Sequence, residues 1–230
     1  MSDGALIGQA IGQMLPAAVG VALSPLPIVA VVLMLVTPRG RANGLAFVLG
    51  WWVGLAVVGA IVLSVSKGAG ATDNGEPATW VDVLKLVLGL LLLLVAVSQW
   101  RGRPHEGEES PTPKWMGALD TFTPPKAGGA GVVLSALNPK NLLLAVAGAA
   151  AIAGTGISGG QQAVAWVIFI LVASIGVAAP VVISFVLGDR SREILDRLKD
   201  WMAYNNAAIM ATLLLIIGVK LIGDAIAGFS

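Results

Sequence analysis

Lys140 is the residue of this chain whose chemistry most demands a reason. It follows Leu134-Ser135-Ala136-Leu137-Asn138-Pro139 and precedes Asn141, inside an apolar run over Gly129–Ala153. A lysine at the centre of a bilayer costs roughly 2.5–3.5 kcal/mol on insertion scales, so it points to a water-filled cavity, a partner or a function. The bland reading is a side chain that snorkels to the nearer face, a long reach from about 11 residues into a straight helix. Asn138 and Asn141 are polar enough to line the same cavity. Their structural alternative is interhelical hydrogen bonding worth about 1 kcal/mol or less. A positive Lys140 suits a sulfate, phosphate or carboxylate on a substrate. Lys220 and Asp224, spaced i, i+4, can pair on one helix face; they read as a structural ion pair, with a coupling-ion role as the lesser alternative. Asp82 and Lys85, at the start of the third apolar run, read as interfacial.

Other chemistry is excluded by what the chain lacks. It has no cysteine, which removes disulfides, thiolate nucleophiles and Cys-ligated metals. Its single histidine, His105, lies in a polar loop, so no metal site is expected. Ser24 and Ser135 have no membrane histidine or carboxylate nearby to activate them, and no phosphate-cradling loop with its lysine is present. The expectation is therefore no enzyme and no cofactor. A net charge of +1 argues against a nucleic-acid partner.

The elements that position these residues are apolar. Hydrophobic residues make up 57% of the 230 and charged residues 12%, against roughly 25% charged in a soluble domain. Six stretches stand out: Leu6–Val36, Leu45–Ser66, Trp80–Trp100, Gly129–Ala153, Gln161–Leu187 and Ala203–Ala227. In lipid each must pair its own backbone, so they are expected to be helices. No basic residue precedes Arg39, so the first stretch reads as a permanent span and not a cleaved signal. Trp80, Trp100 and Trp201 fall at span ends, where aromatic belts form.

The loops set the expected orientation. Arg39 and Arg41; Arg101, Arg103, Lys114 and Lys126; and Arg190, Arg192, Arg197 and Lys199 lie in the first, third and fifth loops, while the opposite side holds Lys67. The positive-inside rule puts loops 37–44, 101–127 and 188–201 in the cytoplasm and both termini outside. The third loop carries five prolines and the acidic residues Glu106, Glu108 and Glu109, and reads as a tether. The fifth reads as a short amphipathic helix at the surface.

The spans divide into two halves, 1–100 and 128–230, around the linker 101–127. Leu6–Val36 is too long, about 46 Å as a straight helix. It contains Pro16 and Ser24-Pro25-Leu26-Pro27, so a break is expected near Ser24. Leu137-Asn138-Pro139 repeats the pattern in the fourth stretch, and Leu88-Gly89 echoes Ile217-Gly218. Three spans per half make the second half inverted. Interrupted helices at matching positions of inverted repeats point to a transporter site near the midplane. Gly50-Trp51-Trp52-Val53-Gly54 reads as helix packing. Trp51, Trp52 and Trp166 read as core or lipid contacts before they read as a substrate path.

Ser24-Pro25-Leu26-Pro27-Ile28 and Asn138-Pro139-Lys140-Asn141, with six spans in a 3+3 layout, resemble the lysine-exporter (LysE) superfamily of bacterial membrane transporters. Within it, Leu134–Asn141 looks most like the GAP family, the glycopeptidolipid- and sulfolipid-addressing proteins. The resemblance implies an all-α integral membrane fold of six helices in two inverted three-helix repeats. It places Ser24, Pro25, Pro27, Asn138, Pro139, Lys140 and Asn141 on a central substrate path. It further implies a bacterial plasma-membrane transporter that moves a lipid or glycolipid with an anionic or zwitterionic head to the cell surface. The partners implied are the bilayer, that lipid, and a homo-oligomer or larger export complex. Two alternatives stay open: a small-solute exporter of the amino-acid type, and a scaffold subunit of a lipid-export machine.

Overall fold

The computed structural model describes residues 3–70, 72–73, 76–77, 79–102 and 122–229. His105 and the acidic residues Glu106, Glu108 and Glu109 lie outside them, as does most of the third loop. The described chain is almost wholly helical: α1 (Asp3–Ala22), α2 (Pro25–Leu35), α3 (Gly40–Gly68), α4 (Thr79–Arg101), α5 (Pro124–Val132) running into a π turn (Val133–Leu137), α6 (Pro139–Ala153), α7 (Gly159–Ala173), α8 (Ile175–Leu187) and α9 (Ser191–Gly228). A two-residue antiparallel pair, Thr72–Asp73 with Glu76–Pro77, bridges α3 and α4.

α1, α3, α4 and α9 are each long and apolar enough to cross a membrane, and the bent pairs α5–α6 and α7–α8 raise the number of candidate spans to six. Leu49, Leu94, Val186 and Ile216 are exposed apolar residues of this bundle, as befits helices that face lipid and not water. The chain is a multi-pass membrane-helical protein.

Local chemistry fixes the helix ends. A residue before proline is pushed out of the α region, and Ser24 and Asn138 are both extended, at ψ 112° and 118°. Pro25 and Pro139 then start α2 and α6, where a missing N–H costs nothing. The axis turns by 61° between the π turn and α6. A reciprocal capping box starts α7, with Gln161 N–H donating to Ser158 Oγ and Ser158 N–H donating to Gln161 Oε1.

Three features differ from the sequence reading. The stretch Gln161–Leu187 is two helices, bent by 55° at Ser174. There Ser174 Oγ donates to the carbonyl of Ile170, and Pro180 withdraws a backbone donor from the next turn. The fifth loop is not a separate surface helix, because its charged residues open the 38-residue α9. No Gly or Pro interrupts Ser191–Ile217, and Glu193–Arg197 and Asp196–Lys199 pair along that first segment. Asp82 and Lys85, read as interfacial, form an ion pair at 2.8 Å buried in the bundle.

Packing is close at several glycines. A Cβ on Gly50 would lie 1.9 Å from the carbonyl oxygen of Gly128, and one on Gly131 would lie 2.2 Å from that of Phe47. α3 and α5 therefore touch backbone to backbone, with Gly54 against Ser135. α4 and α9 cross at Gly89 and Gly218, each against the other's carbonyl oxygen.

Candidate functional site

Gly128 and Gly131 bring α5 against α3. The helix then widens into the π turn Val133–Leu137, a rare geometry concentrated at functional positions. Widening leaves carbonyls without their usual helical donor. Asn138 N–H donates to the carbonyl of Val133, and Asn141 Nδ2 donates back across the break to that of Leu134 at 2.9 Å. The Asn138 side chain accepts from the Lys140 N–H at 3.2 Å and caps α6. Both asparagines thus satisfy backbone groups that the break sets free.

Among the described residues, buried side-chain atoms near this segment with no hydrogen-bond partner are Asn43 Oδ1, Trp51 Nε1 and Asn141 Oδ1. Asn43 donates to the carbonyl of Phe122 just before α5. Trp51 lies beside Gly131, and Asn141 holds the π turn. An unpaired polar group in an apolar interior costs about 1–3 kcal/mol, so the segment is edged by hydrogen-bonding capacity that a ligand or water would use. Asn141→Leu removes the bond to Leu134 and leaves that carbonyl unpaired. It is expected to lower thermal stability in micelles by about 1–3 kcal/mol, whereas Asn141→Asp, which keeps the orphaned acceptor but loses the donor, should be at least as damaging.

On its other side the π turn faces α2. Leu26, Ala30 and Met34 oppose Phe122, Ala130, Val133 and Leu134 across a cavity of about 240 Å³. The described side chains of its wall are all apolar, and it lies between the two interrupted helices.

The residues singled out from the sequence flank the two helix breaks and do not line this cavity among the described residues. Ser24, Pro25 and Pro27 are buried, and Gly176 of α8 is pressed against Ala22 and Ile28 at that break. Leu26, between the two prolines, reaches the cavity wall. Asn138 and Lys140 are half-buried, Pro139 is exposed and Asn141 is buried. Lys140 has no carboxylate partner among the described residues. No hydrogen bond or ion pair joins Ser24, Pro25 or Pro27 to Asn138–Asn141 among the described residues, and none of these residues is among the described residues that line the cavity. Lys220 and Asp224 form an ion pair on α9. Sequence reasoning missed Asn43, the orphaned Trp51 indole and the π turn; the signal available was the glycine-rich start of α5 opposite Gly50 and Gly54. Trp51 and Trp166 are core residues, the latter donating from Nε1 to the carbonyl of Leu55 at 3.1 Å, and Trp52 donates to Ser174 Oγ.

A family model described as Sap, sulfolipid-1-addressing protein, matches residues 14–227. No curated protein matches, and neither does any solved structure.

Proposed function

This chain belongs to the sulfolipid-1-addressing protein family, and on that premise we propose that it is a transporter moving a lipid or glycolipid toward the cell surface. The observation that carries the reading is the apolar cavity between α2 and the π turn. A site for an amino acid needs polar side chains to replace hydration; the described side chains lining this cavity are all apolar. At about 240 Å³ the cavity is smaller than the roughly 300–1,000 Å³ of an enclosed small-molecule site, so it suits a stretch of acyl chain. The exposed Leu137 and Pro139 open the break to the bundle perimeter, where a lipid enters sideways.

Lys140 supplies the head-group contact in this reading. It lies in the first turn of α6, beside the positive end of the helix dipole. A cation there is repelled by the dipole, and an anion between the two is attracted by both. A sulfate, phosphate or carboxylate head fits that position.

Alternating access in this reading comes from two inverted repeats. Exchanging α1, α2, α3 and α4 with α5, α6, α7–α8 and α9 maps several of the packing pairs onto one another, though not α1 on α6. α1 on α7 matches α5 on α3, α2 on α9 matches α6 on α4, and α2 on α8 matches α6 on α3. Gly89 and Gly218, matching positions of the halves, touch each other, as residues beside a two-fold axis do. The arginine-bearing loops 37–44 and 188–201 are cytoplasmic in this scheme. A bacterial plasma membrane is the setting, and neither catalysis nor a cofactor is required.

The test is deletion of the gene in the native host, with mass spectrometry of surface-extractable lipids and cytoplasmic solutes. A glycolipid lost from the surface and retained inside, restored by the wild type, is the expected result. A hydrogen bond to a charged group contributes about 1.5–3 kcal/mol. Lys140→Ala, expressed normally, should therefore restore export about ten- to a hundredfold less well, each tenfold being about 1.4 kcal/mol. Unchanged surface lipids with an amino acid accumulating inside would instead establish a solute exporter.

A further inference from the structure

A groove of about 450 Å³ runs between α4 and α9 on the outside of the bundle, towards the C-terminal end of α4. The two helices are antiparallel, with Asp82 against Gly228 at one end and Gly89 against Gly218 further along. Ala96 and Ala211, both buried, form the floor of the groove, and their small side chains give it depth. Val97 and Leu215, both exposed, form its walls. An apolar channel open to hydrocarbon takes an acyl chain and rejects a hydrated solute, whose polar groups it leaves unpaired.

The groove also carries a cation and a hydroxyl, in a definite order. Arg101 lines it at the last residue of α4, beside the exposed Trp100, and Thr212 lines it from α9. A tryptophan next to an arginine at a span end marks the membrane–water boundary. Counted from the Gly89–Gly218 crossing, Thr212 is six residues back along α9 and Arg101 twelve residues on along α4. Arg101 therefore stands about 9 Å further out than Thr212. Phosphate outside and ester carbonyl inside is the same order in a phospholipid. The described ion pairs engage Lys85, Arg197, Lys199 and Lys220. Arg101 forms none with a described residue, and no carboxylate lines the groove among the described residues. The half charge at the C-terminal end of α4 opposes an anion less than the full guanidinium charge attracts it, and the guanidinium fork matches two phosphate oxygens.

We propose that this groove holds an anionic phospholipid of the surrounding bilayer, with an acyl chain between Val97 and Leu215 and the phosphate on Arg101. The Thr212 hydroxyl donates to the ester carbonyl between them. The groove shares no residue with Lys140 or the α2–α5 cavity, so the proposal stands whether or not the chain exports a lipid.

The experiment uses the full chain in nanodiscs of equal parts phosphatidylcholine and phosphatidylglycerol, with native mass spectrometry counting the lipids retained on release. Phosphatidylglycerol should be retained in preference to phosphatidylcholine. Arg101→Gln should weaken that retention about tenfold or more. Thr212→Phe, which fills the groove and leaves Arg101 in place, should abolish it. Both positions are exposed, so the melting temperature in detergent should stay that of the wild type, which separates lost binding from lost folding. Lys126→Gln, an exposed cation at the start of α5 outside the groove, should leave retention within about twofold. Equal retention of the two lipids overturns the proposal, as does retention unchanged by Arg101→Gln or by Thr212→Phe. Equal weakening by Lys126→Gln overturns it too, because the effect would then be general surface charge. A dimer that survives removal of lipid and is dissolved by Thr212→Phe would give the groove to a second copy of the chain and not to a lipid.

Discussion

Gly131→Leu is expected to leave no folded protein. A Cβ at this position lies 2.2 Å from the Phe47 carbonyl oxygen, 2.8 Å from the Trp51 nitrogen and 3.1 Å from the Phe47 carbonyl carbon. All three are backbone atoms of α3, so no rotamer change relieves the clash; the helices must separate. Overpacking a core costs about 1–3 kcal/mol where side chains can yield. Here it should exceed that range, because separation also opens the neighbouring contacts of Gly50 with Gly128 and of Gly54 with Ser135. Fluorescence-detected size-exclusion chromatography should show the monodisperse peak lost. Gly129→Leu is the control, since nothing lies within 4 Å of its added Cβ, and its profile should match the wild type. A normal peak from Gly131→Leu would mean that α3 and α5 do not touch at their backbones.

The contrast between these two glycines also shows what a sequence can carry. Gly128, Gly129 and Gly131 are the same letter within four positions, yet the close approaches fall on the first and last and the middle one faces open space. Composition and run length made the helices and their membrane character legible, because about 20 apolar residues are a physical requirement for crossing hydrocarbon. The family was legible in the short strings around Ser24 and Lys140, whose polar and proline residues stand out in apolar runs. The cavity wall was not. Leu26, Ala30, Met34 and Leu134 are the same residue types that face lipid elsewhere, and only packing separates the two roles. The bend at Ser174 was hidden for a related reason. Pro180 sits five residues beyond Ile175 inside α8, so the proline does not mark the position at which the helix parts. Asn138 and Asn141 were visible as polar residues, while their work on carbonyls freed by the π turn depends on a backbone widening that no residue type announces.

The ion pair Asp82–Lys85 carries the second large effect, and it too was misplaced by sequence position, since span ends are ordinarily wet. Asp82 is 1% exposed and Lys85 9%. Val81 beside them packs on Ala153 at the end of α6, and the Asp82 carboxylate lies against Gly228, where a Cβ would come within 2.4 Å. The pair is thus enclosed by the ends of α4, α6 and α9. Removing one partner of a buried pair strands the other charge and costs about 3–5 kcal/mol, whereas replacing both by uncharged groups of similar size is often neutral. Asp82→Asn and Lys85→Met are each expected to lower thermal stability in micelles by that order, and the double variant should recover most of the loss. The side chains keep roughly their volume, so the Gly228 contact survives and the cycle isolates the charge interaction. The double-variant cycle also tests the architecture. Strong coupling requires that α9 end beside the start of α4, the arrangement that brings Gly89 against Gly218 further along the same two helices. If the two losses simply add, the pair is solvated in the membrane-embedded protein, and the C-terminal end of α9 does not close over it.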